Sequence, residues 1–373
     1  MESPILNIEE LLLIYPLPQS SSTDKLDYAM CLVQSAFGNK YTKDDIIAAA
    51  DIDISALAVP APAPPAPPTP PAPSKPIDKW IARQLCADQR TAYWLKARDE
   101  FITASISAAC AGQMGPIARE NQLLEKATRG AYKPFTGGYY TTQGNIYEPV
   151  TNAIYCYRNN AVIHALSLIA CDIPTYEFLA ASTDGIAEKP GPDSKPIFYN
   201  IEIKTLAGRM LDNKIKKEYY HQMQHQMWCL GLTQTHFLEA KYMEHVNLMS
   251  LAAELQSIEP HYVCDKFGAV IELWQNGDYV YLYSPISQSF DTLTQWVNDN
   301  EGTRNGIYIR TFYWSLFDYS CKLVRREPTW LDTMGPLLRQ FWDEVNKLRA
   351  DPVMLKARIL ARSGEPDLES CHL

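Results

Sequence analysis

The sequence predicts an α/β domain with a central mixed β-sheet flanked by helices. Three observations predict it. Residues 197–205, IFYNIEIKT, alternate with the period of two that marks a strand. Residues 214–231, KIKKEYYHQMQHQMWCLG, place Met223, Met227 and Leu230 at i, i+4 and i+7, the stripe of a helix lying on a core. The stretch 78–348 mixes strand and helix patterns without internal repeats, and 46% apolar residues supply a sizeable core.

Along the chain, residues 1–58 carry two short helical patterns, Ile8–Tyr15 and one starting near Thr42 or Asp44. They read as a small helical appendage with no evident chemistry. Residues 59–77 contain PAPAPPAPPTPPAPSKP, which lacks backbone donors and favours extended polyproline II, so this segment is expected to be a linker. The α/β domain follows over 78–348. A charged tail, 349–373, is expected to fray.

Within the domain, Thr103 or Ser105 is placed to cap a helix over Ile106–Ala111, with Arg98 seven residues before the serine. A helix start beside an arginine suits a phosphate. Glu148-Pro149 is expected to open another helix, with the proline in its first turn and Glu148 favoured there by the helix dipole. Thr175–Thr183 reads as a strand running into the turn pair Asp184-Gly185, and a Pro/Gly-rich loop is expected over Ala187–Pro196. In the second strand, Ile197, Tyr199, Ile201 and Ile203 share one face, and Phe198, Asn200, Glu202 and Lys204 the other. Pairing of the two strands then brings Asp184 to Glu202 and Lys204. The helix after them ends at Gly231, a C-cap residue, and presents Tyr219, Gln222 and Gln226 on a second face.

Two carboxylates and an ammonium that converge suit a hard divalent cation such as Mg²⁺, which takes oxygen ligands. Such an ion activates water and stabilises the charge of a phosphorane-like transition state, and its field lowers the lysine's pKa. Glutamine amides nearby are able to hold a metal-bound water or a phosphate. His221 and His225 have the i, i+4 spacing of a zinc pair, but Gln222 stands where a zinc protease has its glutamate and no third ligand is evident.

The composition bounds the rest. Nine scattered cysteines without Cys-x-x-Cys read as reduced thiols of an intracellular, soluble protein and argue against a zinc ribbon or iron–sulfur cluster. No apolar run is long enough for a transmembrane helix, and no secretory signal is evident, so no membrane role is expected. The net charge of −9 disfavours polyanion binding by the whole surface, while Lys96, Arg98, Arg209, Lys214, Lys216 and Lys217 remain candidates for a local basic track.

Taken in order, the motifs resemble the lambda exonuclease/YqaJ-type viral recombinase family of the PD-(D/E)xK superfamily, which includes viral alkaline nucleases. The resemblance rests on Trp94, Arg98 and Ile102–Ser105, on Gly144 with Glu148-Pro149, on Asp184-Gly185, on Glu202-x-Lys204, and on Tyr219, Gln222 and Gln224. Val324–Trp330 with Phe341, Trp342 and Val345 resembles the closing helices. It implies a restriction-endonuclease-like core over 78–348. It further implies that Asp184, Glu202, the Ile203 carbonyl and Glu148 hold Mg²⁺ or Mn²⁺, that Lys204 activates water, and that Gln222 completes the shell. Arg98 and Ser105, with Thr103 and Tyr219 beside them, would bind the 5′-phosphate of a duplex DNA end. The family digests one strand from the 5′ end, a single-strand annealing protein uses the overhang, and some members form a ring-shaped trimer. Thr183 and Thr205-Leu206 depart from the family's proline and Cys-Pro. The appendage and linker have no counterpart in phage enzymes and suggest a virus of eukaryotes, with the host nucleus as the site of action. Another superfamily nuclease of RecB or Cas4 type and a non-catalytic DNA-binding scaffold of the same fold are the alternative readings.

Overall fold

A computed structural model describes Ala48 and residues 76–363, except 133–137, 193–194, 213, 259–264, 287–288 and 303–305. The chain divides into two compact units, Met1–Ser74 and Lys75–Leu373, and every described residue but Ala48 belongs to the second. The helical appendage, Ala48 apart, and the proline tract up to residue 75 therefore lie outside the described residues. Ile77, which the sequence assigns to the linker, is buried in one cluster with Trp80 and Leu230.

The second unit begins with α1 (Asp78–Ile81), α2 (Ala92–Asp99), β1 (Ile102–Thr103), α3 (Ser107–Cys110), α4 (Pro116–Ala127) and α5 (Tyr139–Asn159). Strands β2 (Val162–His164), β3 (Leu168–Ala170), β4 (Leu179–Ser182), β5 (Gly185–Pro190) and β6 (Pro196–Thr205) follow, then α6 (Lys217–Leu230) and β7 (Gln234–His245). The remainder is α7 (Leu248–Ile258), β8 (Phe267–Gln275), β9 (Asp278–Tyr283), α8 (Phe290–Asn300), β10 (Ile307–Arg325), α9 (Trp330–Ala350) and α10 (Pro352–Ser363).

These strands build a mixed seven-stranded sheet in the order β2-β5-β6-β7-β10-β8-β9 and a small sheet in the order β1-β4-β3. In the large sheet β6 and β7 are parallel, from Asn200 opposite Thr235 to Thr205 opposite Ala240, and the other neighbours are antiparallel. Parallel neighbours need a crossover, and α6 supplies it.

The alternation of β6 sorts its side chains as the sequence predicts. Ile201 and Ile203 pack with Leu238 and with Tyr155 of α5 on one face. On the opposite face Met223 and Met227 of α6 cover Phe237 and Val324. Further along α5, Ile146, Val150 and Ile154 pack on Val270, Phe312 and Trp314. Outside α6 a helical layer closes the core, where Trp330, Leu338, Phe341 and Val345 of α9 meet Cys110, Leu123 and Leu179. The result is the mixed α/β architecture with flanking helices that the periodicities predict.

Several local expectations are corrected. Thr175–Thr183 is not one strand: Pro174 opens a 3₁₀ turn through Tyr176, and β4 begins only at Leu179. The expected Ala187–Pro196 loop begins as strand, since Gly185–Pro190 forms β5 and pairs with β6 from Gly185 opposite Ile201 to Pro190 opposite Pro196. Accordingly β4 pairs with β1 and β3, not with β6, and Asp184 lies in the link between the two sheets. Glu148-Pro149 does not open a helix, because α5 begins at Tyr139 and holds Pro149 inside it. That proline offers no N–H to the Asn145 carbonyl one turn earlier. Neither Thr103 nor Ser105 caps a helix over Ile106–Ala111: a 3₁₀ turn (Ala104–Ile106) intervenes, without a side-chain cap. The frayed tail is helical through Ser363, and Arg358 of α10 forks onto both carboxylate oxygens of Glu120 at 2.7 Å.

Gly185 fixes how the chain enters β5. Its φ is +152°, and an added Cβ would stand 2.4 Å from Ile163 Cγ2. Gly185→Ala is expected to cost about 1–3 kcal/mol of stability through this overlap and the backbone strain. Urea unfolding checks it, and an unchanged midpoint contradicts it.

Candidate functional site

One cleft of about 430 Å³ gathers the side chains that the sequence singles out from five distant segments. Arg98, Thr103 and Ser105 line it, as do Glu148 of α5, Asp184, Glu202-Ile203-Lys204 of β6, and Tyr219 and Gln222 of α6. Sequence reasoning foresaw each of these ten residues, and the fold brings all of them to one place.

The geometry is set by a buried polar chain that runs from the end of β4 to Glu202. The Thr183 hydroxyl donates to Asn200 Oδ1 at 2.6 Å, and Asn200 Nδ2 donates to Gln226 Oε1 at 2.9 Å. Gln226 Nε2 in turn donates to Glu202 Oε2 at 2.7 Å. All four residues are buried, Glu202 to 1% exposure. Its other oxygen receives the Lys204 ammonium. Lys204 also reaches Gln222 Oε1 at 3.4 Å, and its ammonium lies 4.9 Å from the centre of the Tyr219 ring. Asp184 Oδ2 accepts from the Ile203 amide at 2.6 Å, which locks the inter-sheet link onto β6. Thr183 thus has a structural role in this chain.

Burial, the charge of Glu202 and the charge of Glu148 raise the Asp184 pKa well above the ordinary aspartate range, against Lys204 and the Ile203 amide. Burial likewise raises Glu148, partly offset by its ion pair with Arg90. For Lys204 burial pulls the pKa down, but Glu202 and Asp184 outweigh it and the net shift is upward. The lysine is therefore a firm ammonium between two carboxylates.

At the other end of the cleft, Arg98 lies 4.2 Å from the centre of the Trp94 ring, with Nη2 3.4 Å from Thr103 Oγ1 and 3.3 Å from Ser105 Oγ. Burial lowers its pKa to about 10, against Asp99, and leaves it charged at neutral pH. The peptide carbonyl of Arg98 is held by the buried Lys126 ammonium at 2.6 Å. A guanidinium backed by an indole and two hydroxyls has the forked donor geometry that suits a phosphate.

The donor set is all oxygen, and three carboxylates repel one another around a cleft where two of them are pushed towards protonation. That chemistry fits a hard divalent cation. Among the described residues, no three His, Cys, Asp or Glu side chains stand close enough to hold an ion as they lie. Lys204 and Gln226 take the oxygens of Glu202, and Arg90 takes one of Glu148. In the histidine pair one ring nitrogen of each residue is already engaged. His225 Nε2 meets the Ala180 carbonyl at 3.1 Å, and His221 Nδ1 accepts from Trp330 Nε1 at 3.0 Å. Of the proposed basic track, Lys96, Lys214, Lys216 and Lys217 are exposed, but Arg209 is committed to the buried Glu239.

Sequence reasoning missed Arg90 and Gln89. It placed Gln226 on the right face without finding its bond to Glu202. The signal for Gln226 was present in the helical spacing from Gln222 and Tyr219. None existed for Arg90, whose partner Glu148 is far along the chain.

Residues 93–237 match the model of the YqaJ-like viral recombinase domain. This stretch of the chain is thus similar to a YqaJ-like viral recombinase domain. Its match begins beside Trp94 and ends within β7, so it contains every one of the ten cleft residues named above. A curated relative, protein R354 of Acanthamoeba polyphaga mimivirus, is 26% identical over 294 residues. The alignment takes in 69% of this chain and 52% of that protein, so the chain spans about half the length of this relative. Solved structures to which the chain is similar include two exonucleases. The alkaline exonuclease LHK-Exo of Laribacter hongkongensis has a TM-score of 0.42 at 17% identity, covering 72% of this chain and all of the other. A phage-related exonuclease from Haemophilus somnus 129PT has a TM-score of 0.35 at 13% identity, covering 68% and 95%. Among the described residues, no helix of the protein is long and apolar enough to cross a membrane.

A raised carboxyl pKa in the folded state contributes stability below the ordinary aspartate range and loses it as pH rises towards the raised value. Asp184→Asn cannot ionise. It is expected to melt above the parent at neutral pH in buffer free of divalent metal, with the gap closing as pH falls into the ordinary aspartate range. Thermal unfolding at the two pH values checks this; a parent more stable than the variant at neutral pH contradicts it.

Proposed function

We propose that the domain is a metal-dependent 5′–3′ exonuclease that resects duplex DNA ends for recombination or viral DNA processing. The observation that supports this reading is the joining, in one cleft, of a carboxylate–lysine cluster with an arginine–hydroxyl receptor. The first suits phosphodiester hydrolysis and the second suits a terminal phosphate. The family match, to a viral recombinase domain, supports DNA as the substrate.

Asp184, Glu202, the Ile203 carbonyl and Glu148 would hold Mg²⁺ or Mn²⁺, which supplies Lewis-acid activation of water and charge stabilisation on the phosphorane-like transition state. Gln226 keeps Glu202 aimed, because its amide donates to a carboxylate that water does not reach. Lys204, as an ammonium steadied by Gln222 and Tyr219, orients the attacking water and donates to the developing charge. Arg98, with Thr103 and Ser105, holds the 5′-phosphate and sets which bond lies over the carboxylates. A single-strand annealing protein as consumer of the 3′ overhang, a ring-shaped homotrimer for processivity, and action in a host nucleus belong to the same proposal.

End-labelled duplex DNA with Mg²⁺, at neutral to alkaline pH, tests the reading. The parent is expected to release nucleotides from the 5′-labelled strand; no cleavage under any of these conditions would favour the scaffold alternative. Lys204→Ala is expected to retain DNA binding and lose cleavage by about a hundredfold or more. Loss of binding with retained turnover contradicts its role. Arg98→Ala is expected to reduce the preference for 5′-phosphorylated over 5′-hydroxyl ends by about tenfold. Equal rates of the parent on both ends remove that role.

A further inference from the structure

We propose that Arg90 is a second phosphate-binding residue of the substrate path, held by Glu148 in the free protein and transferred to the DNA strand when it binds. The inference rests on the nuclease reading above and deepens it.

Four observations carry it. First, Arg90 stands on the sill between two spaces. The catalytic cleft and a neighbouring cavity of about 520 Å³ share Gln89, Arg90, Glu148 and Asp184. A strand that runs from one space into the other, with its scissile phosphate over Asp184 and Glu202 and its end at Arg98, crosses this sill. Second, Glu148 is the single side-chain partner that Arg90 has among the described residues, through Nη2 at 2.5 Å. A guanidinium has five N–H donors, so most of its fork remains to be used. The Arg90 side chain is 48% exposed and thus free to turn. Third, Arg90 has φ +67°, a left-handed conformation that costs a non-glycine residue about 1 kcal/mol or more. Fourth, the chain on either side is pinned. Gln89 Nε2 donates to the carbonyls of Leu166 at 2.6 Å and Thr183 at 2.9 Å, and Thr91 Oγ1 caps α2 by accepting from the Trp94 amide at 3.1 Å. The fold therefore imposes a disfavoured backbone at one residue, and the effect is to aim its guanidinium at the sill.

The exchange is electrostatically even. A phosphate takes the guanidinium bidentately, and Glu148 is released towards the cation that Asp184 and Glu202 would share. Substrate binding and the recruitment of Glu148 are in this way one event. Arg98 then fixes the strand end, and Arg90 fixes the phosphate on the far side of the reacting bond.

The test uses the full chain with Arg90→Asn and Arg90→Lys. Asparagine tolerates the left-handed backbone, so the fold is retained, and equal melting temperatures verify it. Binding of a 5′-phosphorylated duplex is measured in Ca²⁺ across a salt series, and cleavage in Mg²⁺ gives kcat and KM. Arg90→Asn is expected to weaken binding about tenfold, to raise KM by a similar factor, and to lower the slope of log affinity against log salt by about one phosphate contact. Arg90→Lys is expected to restore the slope but not the affinity, because it keeps the charge without the fork. If the parent cuts DNA while Arg90→Asn leaves affinity and salt slope unchanged, and only lowers the Mg²⁺ needed for half-maximal rate, Arg90 merely neutralises Glu148 and the inference is overturned while the nuclease reading stands. If the parent neither binds nor cuts DNA, both fall.

Discussion

A carboxylate withdrawn from water needs donors of its own, and Glu202 is withdrawn almost completely. Its demand organises the site. One oxygen is met by Gln226, which fixes the rotation and height of α6 over the sheet, and the other by Lys204, two residues along the same strand face. Gln226 is held by Asn200, and Asn200 by Thr183, so the requirement extends to the link between the two sheets, where Asp184 lies. Removing any member leaves buried groups unpaired, which explains why the arrangement holds as a unit.

Around that unit the fold separates two electrostatic problems. Mutually repelling carboxylates are collected where β4, β5, β6 and α5 meet. Apart from Lys204 among them, the cations stand at the margins, Arg98 on α2 and Arg90 just before it. Both arginines are set by specific neighbours, Arg98 by Trp94, Thr103 and Ser105 and Arg90 by Glu148, and not by a basic surface. Lys126, whose pKa burial lowers to about 8 against Asp99, props the Arg98 carbonyl from behind and ties α2 to α4.

Much of this was legible in the residue order, and the pattern of success has a physical cause. The period of two in IFYNIEIKT and the apolar stripe of α6 are local signals, so both elements and the faces bearing Glu202, Lys204 and Gln222 follow from spacing alone. The strand β5 was illegible because GIAEKP has weak strand preference and is held by its pairing with β6 and β2. Pro149 misled for a related reason: proline ordinarily marks a first turn, whereas the packing of Ile146, Val150 and Ile154 holds α5 together across it. Arg90, Gln89 and the Glu239–Arg209–Lys322 cluster depend on contacts between distant segments, which no window of sequence contains.

The position of β10 has a consequence for how the molecule comes into being. This strand is late in the chain, yet it sits between β7 and β8, joined to β7 along its C-terminal half and to β8 along its N-terminal half. Within the hydrogen-bonded sheet, the half with β6 and the half with β8 and β9 therefore meet through the strand that a ribosome delivers after all the others. Contacts of such long range slow folding. The cleft residues are all made well before the strand that completes the sheet, so a nascent chain would hold the reactive side chains for some time without the scaffold that aligns them.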